Sequence, residues 1–202
     1  MNDGTIRDLA DLEALYGAPK GAAVTKVTDH LTPAYSRWIA ASRFCVLTTV
    51  GPDGTDGSPR GDDGPVVRQL DARTLAMPDW RGNNRMDSLR NIVRDGRVSL
   101  MFMVPGSQNV MRVNGTAEVT VAGDMVARFD DKGRKPRSVI LIQIAEVYPQ
   151  CARAVMRSRL WDAGDESADL PTIGEMVAEI DAGFDAEAYD LDWPKRAKTS
   201  LW

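Results

Sequence analysis

A chain of 202 residues, 43% hydrophobic and 27% charged, has material for one domain with a real core and is short for two. Its formal charge of −4 disfavours nucleic acid or an anionic membrane as partner, since both select a basic face, so any anion site must be local. No apolar run reaches the roughly 18 residues of a membrane span, and the opening MNDGTIRDLADLEALYG lacks the basic and apolar regions of a secretory signal, so the expected compartment is the cytoplasm.

Residues 8–16, DLADLEALY, carry Leu9, Leu12 and Leu15–Tyr16 at helical spacing. A second helix starts after Thr32, with Pro33 at its first position and Tyr35, Trp38 and Ile39 on one stripe, and ends near Ser42. The period then changes. FCVLTTV (44–50) reads as a strand and GPDG (51–54) as the turn of a hairpin. PVVRQLD (65–71) and TLAMP (74–78) are short strand candidates. RVSLMFMV (97–104), apolar on both faces apart from Ser99, reads as a central strand buried on both sides.

In NVMRVNGTAEVTV (109–121), Met111, Val113, Ala117, Val119 and Val121 share one face, while Arg112, Asn114, Thr116, Glu118 and Thr120 share the other. SVILIQIAEVYPQ (138–150) is a further long strand, ended by Pro149. Helical pieces fall at roughly 85–94, 122–130, 151–161 and 171–183. The last residues, DLDWPKRAKTSLW, read as a weakly ordered tail whose Trp193, Leu201 and Trp202 could dock. At least five strands with hairpin-length turns, not alternating strictly with helices, disfavour a doubly wound parallel sheet. They predict a mainly β, antiparallel barrel with flanking helices. The whole chain, 1–202, is read as one domain with N-terminal helices over about 8–42 and a C-terminal helical extension over about 151–202.

Several chemistries drop out at once. His30 is the single histidine, and Cys45 and Cys151 are far apart, with no C-x-x-C or H-x-x-x-H pattern to suggest zinc. No G-x-S-x-G elbow supplies a triad serine, and the two cysteines are expected as reduced thiols. What remains is a gathering of arginine, asparagine and serine between Ser58 and Asn91. A helix over Arg85–Arg94 has Asn84 as its expected N-cap, Asp87 as a capping-box-like partner, and Met86, Leu89 and Val93 on its inward stripe. Arg85 and Ser88, three apart, flank the first turn. Backbone N–H groups, a hydroxyl and a guanidinium at a helix N-terminus are the parts of a phosphate cradle. A capped helix on a solvated face would use the same residues, with Asp87 already complementing the dipole, and both readings stay open. Arg60, which precedes Gly61, and Arg112, on the polar face of its strand, join the set if the strands are neighbours.

Four segments, FCVLTTVGPDGTDGSPRGD, WRGNNRMDSLRNIVRDGRVSLMFMVPG, MRVNGTAEV and CARAVMRSRLW, recur in this order over roughly residues 30–165. Together they resemble the FMN-binding split-barrel proteins related to pyridoxamine 5'-phosphate oxidase, and within them a bacterial branch carrying S-P-R-G-D and G-N-N-R-x-D-S-L-x-N. The resemblance implies a six-stranded antiparallel split barrel that forms a homodimer, with FMN in grooves at the subunit interface. It implies Arg60, with Ser58 of the same motif, at the flavin or its phosphate, and Asp79, Asn83, Asn84, Arg85 and Ser88 at the phosphate and ribityl chain. Arg112 is the basic residue implied on the strand after the buried one. Arg157, Ser158 and Trp161 match the part that reaches the partner's flavin, although Trp161 also reads as a plain packing residue.

One departure narrows the function. Pyridoxamine 5'-phosphate oxidases carry a C-terminal R-x-H pair that helps hold the substrate, and WPKRAKTSLW lacks it, so vitamin B6 oxidation is not expected. No catalytic residue and no metal is assigned. The function implied is an FMN-dependent oxidoreductase of unknown substrate, drawing on NADH, NADPH or a small molecule. The alternatives are a non-catalytic flavin store or redox sensor, or a relative holding haem or a deazaflavin in the same groove.

Overall fold

The structure, a computed structural model, describes residues 4–131 and 133–200. Helix α1 (Leu9–Tyr16) starts where the Asp8 carboxylate accepts the Asp11 N–H at 2.8 Å. A short turn, α2 (Ala22–Thr25), had no period to announce it. Helix α3 (Pro33–Ala40) begins as expected, with the Thr32 hydroxyl accepting the Tyr35 N–H and Pro33 supplying the first residue.

The sheet follows. Strands β1 (Phe44–Gly51), β2 (Gly54–Gly61), β3 (Arg68–Gln69), β4 (Thr74–Asp79), β5 (Arg97–Met103), β6 (Val110–Thr120) and β7 (Ser138–Gln150) pair in the order β2-β1-β5-β6-β7-β4-β3. Every neighbouring pair is antiparallel. Helix α4 (Asp87–Arg94) joins β4 to β5, and α5 (Gly123–Ala127) joins β6 to β7. The architecture is the expected antiparallel sheet with flanking helices, but among the described residues the strands number seven rather than six. The shortest is β3. Its expected span of 65–71 shrinks to two residues because Val66 and Val67 turn into the core and the Val66 N–H bonds the Ser42 carbonyl instead of a strand.

Alternation builds the core. Cys45 and Leu47 of β1, Leu75 and Met77 of β4, Leu100 and Phe102 of β5, Val113 of β6 and Ile140 and Ile142 of β7 belong to one buried cluster, closed by Ile39 of α3 and Ile92 of α4. Strands from opposite ends of the hydrogen-bonded order can share one cluster only if the sheet curls round on itself. A bulge in β6 at Asn114–Gly115 helps it do so, and the Gln143 carbonyl lies where a side chain on Gly115 would have to go.

Strand β5 corrects one expectation: Val98, Leu100 and Phe102 are buried, but Met101 is 37% exposed, so the strand is covered on one face only. The tail also differs. Residues 186–200 form helix α8 (Ala186–Ser200), docked on α7 (Ile173–Ala178), where Asp190 accepts the Gly174 N–H at 3.0 Å. Trp193 stays exposed, and Leu201 and Trp202 lie outside the described residues. Helix α6 (Arg153–Ser158) is shorter than the expected 151–161 because Arg159 adopts a left-handed conformation. Among the described residues no helix is long and apolar enough to cross a membrane.

Candidate functional site: a cleft where the curled sheet nearly closes

Among the described residues, strand β2 is an edge strand bonded to β1 alone. It is met by the far end of β4. Arg60 Nη1 donates to Asp79 Oδ1 at 2.8 Å, with the side chains 20% and 16% exposed. Beyond this pair the chain from Trp80 to Leu89 folds back over β2, and a cleft of 1250 Å³ opens between them, with Arg137 and Ser138 on its rim. Trp80 Nε1 donates to Asp62 Oδ2 at 2.8 Å and pins one wall. A smaller recess of 410 Å³ continues past Trp80 toward Phe129.

The segment ahead of α4 departs from expectation. Asn84 is not the N-cap, and the helix begins at Asp87 rather than Arg85. The cause is local: Asn83 Oδ1 accepts the Arg85 N–H at 3.1 Å in a tight turn, and Asn84 Oδ1 accepts from Arg137 Nη1 at 3.0 Å. Asn84 and Met86 both sit at φ 60°, which no helix continues through. The shifted start rotates the helix. Met86 and Val93, expected inward, are 49% and 76% exposed, while Ser88 and Ile92 are buried.

That rotation decides what Ser88 does. Its hydroxyl donates to Asp56 Oδ2 at 2.6 Å, an inter-element bond from α4 to β2. Arg85 is exposed and its Nε donates to Asp87 Oδ2 at 2.9 Å. Two carboxylates, Asp56 and Asp87, therefore already complement the positive end of α4. The cationic groups lining the cleft are Arg60, Arg81, Arg85 and Arg137, and Arg81 has no ion-pair partner among the described residues.

Ser58, Arg60, Asp79, Asn83, Asn84, Arg85 and Ser88 thus line one cleft. The remaining expected residues lie outside it within the chain. Arg112 reaches Gln150 Oε1 at 3.4 Å, with its guanidinium 5.6 Å from the Tyr148 ring centre. Trp161 Nε1 donates to the Ser107 carbonyl at 2.8 Å, Ser158 Oγ bonds the Val155 carbonyl, and Arg157 is exposed. Sequence reasoning missed Asp56, Asp62, Trp80, Arg81 and Arg137 as cleft residues. Trp80 and Arg81 stand within the W-R-G-N-N-R motif and were legible; Arg137 arrives only through the β4–β7 register, which pairs Asp79 with Ser138.

One atom tests whether a cofactor suits this cleft. Arg60 Nε is buried and has no hydrogen-bond partner among the described residues. A buried donor left unmade costs about 1–3 kcal/mol, more on a charged group, so it calls for an acceptor that the chain does not supply. The carbonyl and phosphate oxygens of a flavin nucleotide are acceptors of that kind, and the residues fit such a group. Behind Arg60, its strand partner Cys45 is buried, and burial pushes the thiol up to about 12 against the opposing pull of the Arg60 charge.

A curled antiparallel sheet with flanking helices, open at an edge that carries an arginine-centred cleft, has the architecture of a split barrel. Residues 31–151, more than half of the chain, match the profile of the family described as pyridoxamine 5'-phosphate oxidase, and the chain belongs to that family. No curated protein matches the sequence. Among solved structures, HupZ of Group A Streptococcus is similar at 18% identity, covering 59% of this chain and 93% of that one, with a TM-score of 0.49. An FMN-binding protein from Syntrophomonas wolfei aligns at 15% identity over 57% of this chain and 84% of that one, with a TM-score of 0.45. General Stress Protein 26 of Bacillus anthracis aligns at 16% identity over 56% and 89%, with a TM-score of 0.43.

Proposed function

We propose that the chain binds FMN in the cleft between β2 and the 79–88 segment and works as a cytoplasmic, homodimeric flavin-dependent oxidoreductase. The observation that carries this reading is Arg60, held by Asp79 with a buried, unpartnered Nε in the cleft wall. Membership of the pyridoxamine 5'-phosphate oxidase family supports the choice of a flavin.

When bound, FMN supplies the electron and hydride transfer, and the protein supplies position, electrostatics and water exclusion. Arg60 would donate to the flavin ring or its phosphate. Arg81, Arg85 and Arg137 offer guanidinium forks to the phosphate oxygens. Ser58 and Asn83 offer hydrogen-bonding groups suited to ribityl hydroxyls. Arg112, Arg157, Ser158 and Trp161 fit a role toward the second subunit's flavin, since they do not line the cleft of their own chain.

The test is to add FMN to the purified protein, follow the visible bands, and then add NADH or NADPH. Bound FMN that bleaches rapidly supports an oxidoreductase, whereas bound FMN that stays oxidised points to a store or sensor. Failure of FMN to bind, with haem or a deazaflavin binding instead, would replace the cofactor assignment.

A further inference from the structure

Among the described residues, Asp79 is the carboxylate paired with the cleft's central arginine, and its charge does not suit a direct contact with the phosphate of a cofactor. A carboxylate facing a phosphate repels it and brings no donor. Its Oδ1 is instead spent on Arg60 Nη1 at 2.8 Å. We infer that Asp79 is a positioning residue, which sets the Arg60 guanidinium so that its buried Nε meets the cofactor in the cleft.

Three features support this. Arg60 lies on edge strand β2, paired with β1 alone, next to Pro59, which has no N–H to add to a ladder. A long side chain on such an edge carries rotamer entropy that a ligand would otherwise have to overcome. Asp79, by contrast, is anchored: it ends β4, pairs with Ser138 of β7, and its carbonyl accepts the Arg137 N–H at 3.3 Å. The end of β4, tied to β7 by backbone pairing, therefore holds a side chain of the edge strand. Moreover, Asp79 takes Nη1 and leaves Nε unpaired, so the pair pre-orients a donor without using it up.

This inference rests on the FMN reading above, and a double-mutant cycle separates the two. FMN dissociation constants are measured for the wild type, Asp79→Ala, Arg60→Ala and the double variant, with urea unfolding of each apoprotein as the folding control. A positioning role predicts that Asp79→Ala weakens FMN binding about tenfold in the wild-type background and by less than about twofold when Arg60 is already alanine. Asp79→Asn, which keeps the shape and an acceptor oxygen, should recover most of the affinity, and Asp79→Leu, similar in size but with no acceptor, carries the cycle if Asp79→Ala does not fold. Tighter FMN binding by Asp79→Ala, or an equal loss in both backgrounds, overturns the positioning role while leaving the FMN site intact. A wild type that binds no FMN overturns the proposed function and this inference with it.

Discussion

Arg60 and Asp79 meet at 2.8 Å although four strands, β1, β5, β6 and β7, lie between theirs in the hydrogen-bonded order. Among the described residues no backbone ladder joins β2 to β4, so this side-chain pair bridges the seam where the curled sheet fails to close. The pair is half-buried, and its loss strands a charge in a poorly hydrated place. Arg60→Ala should lower the apoprotein's unfolding free energy by about 1–3 kcal/mol, read as a fall in the urea midpoint at constant m-value. An unchanged midpoint would mean that the seam is held by the backbone on either side.

Ser88 and Arg85 are expected to separate into a structural and a binding residue. The Ser88 hydroxyl is committed to Asp56, so Ser88→Ala should cost about 1–2 kcal/mol of stability while FMN affinity changes by less than about twofold. Arg85 is exposed on the cleft rim, so Arg85→Ala should leave the melting temperature within about 1 °C and weaken FMN binding three- to tenfold or so. The reversed pattern in calorimetry and fluorescence titration would return Ser88 to the phosphate.

Gly115 tests the curl of the sheet. A Cβ there would collide with the Gln143 carbonyl across the β6–β7 bulge, so backbone must move. Gly115→Ala is expected to destabilise by about 2–4 kcal/mol, visible as a thermal shift of several degrees. Gly57→Ala, on the edge strand with open space around it, is the control and should be close to neutral.

How far the chain could be read in advance follows from the range of its signals. The hairpin at GPDG, the helix behind Thr32–Pro33 and the alternating β6 and β7 were legible, because each is written in neighbouring residues. The strand TDGSPRG was not, since it buries little and is held by pairing with β1. The start of α4 was misread because Asn84, a good cap by type, is drawn away by Arg137, which lies 53 residues along the chain. Likewise, Arg60 stood out by its motif, yet nothing local says that Asp79 is its partner. The members of the cleft were recognisable, and their mutual assignments depended on how a curled sheet brings distant ends together.

The two thiols should differ sharply. Cys151 is exposed and Cys45 is buried beneath Arg60. Native protein should therefore alkylate at one thiol per chain with iodoacetamide, the second reacting only after denaturation, as mass spectrometry would record. Cys45 has a raised folded pKa, so its contribution to stability is complete below 9.0, its ordinary value, and is lost as pH rises toward about 12. Cys45→Ala should flatten that alkaline loss in pH-dependent melts.

Equilibrium titration of the apoprotein with FMN, beside Arg60→Ala, tests most directly whether the Arg60 cleft holds FMN. The expected result is saturable quenching of flavin fluorescence with a low-micromolar or tighter dissociation constant, weakened at least tenfold in Arg60→Ala. Saturable binding that is indifferent to Arg60, or none into the high micromolar range, would contradict it.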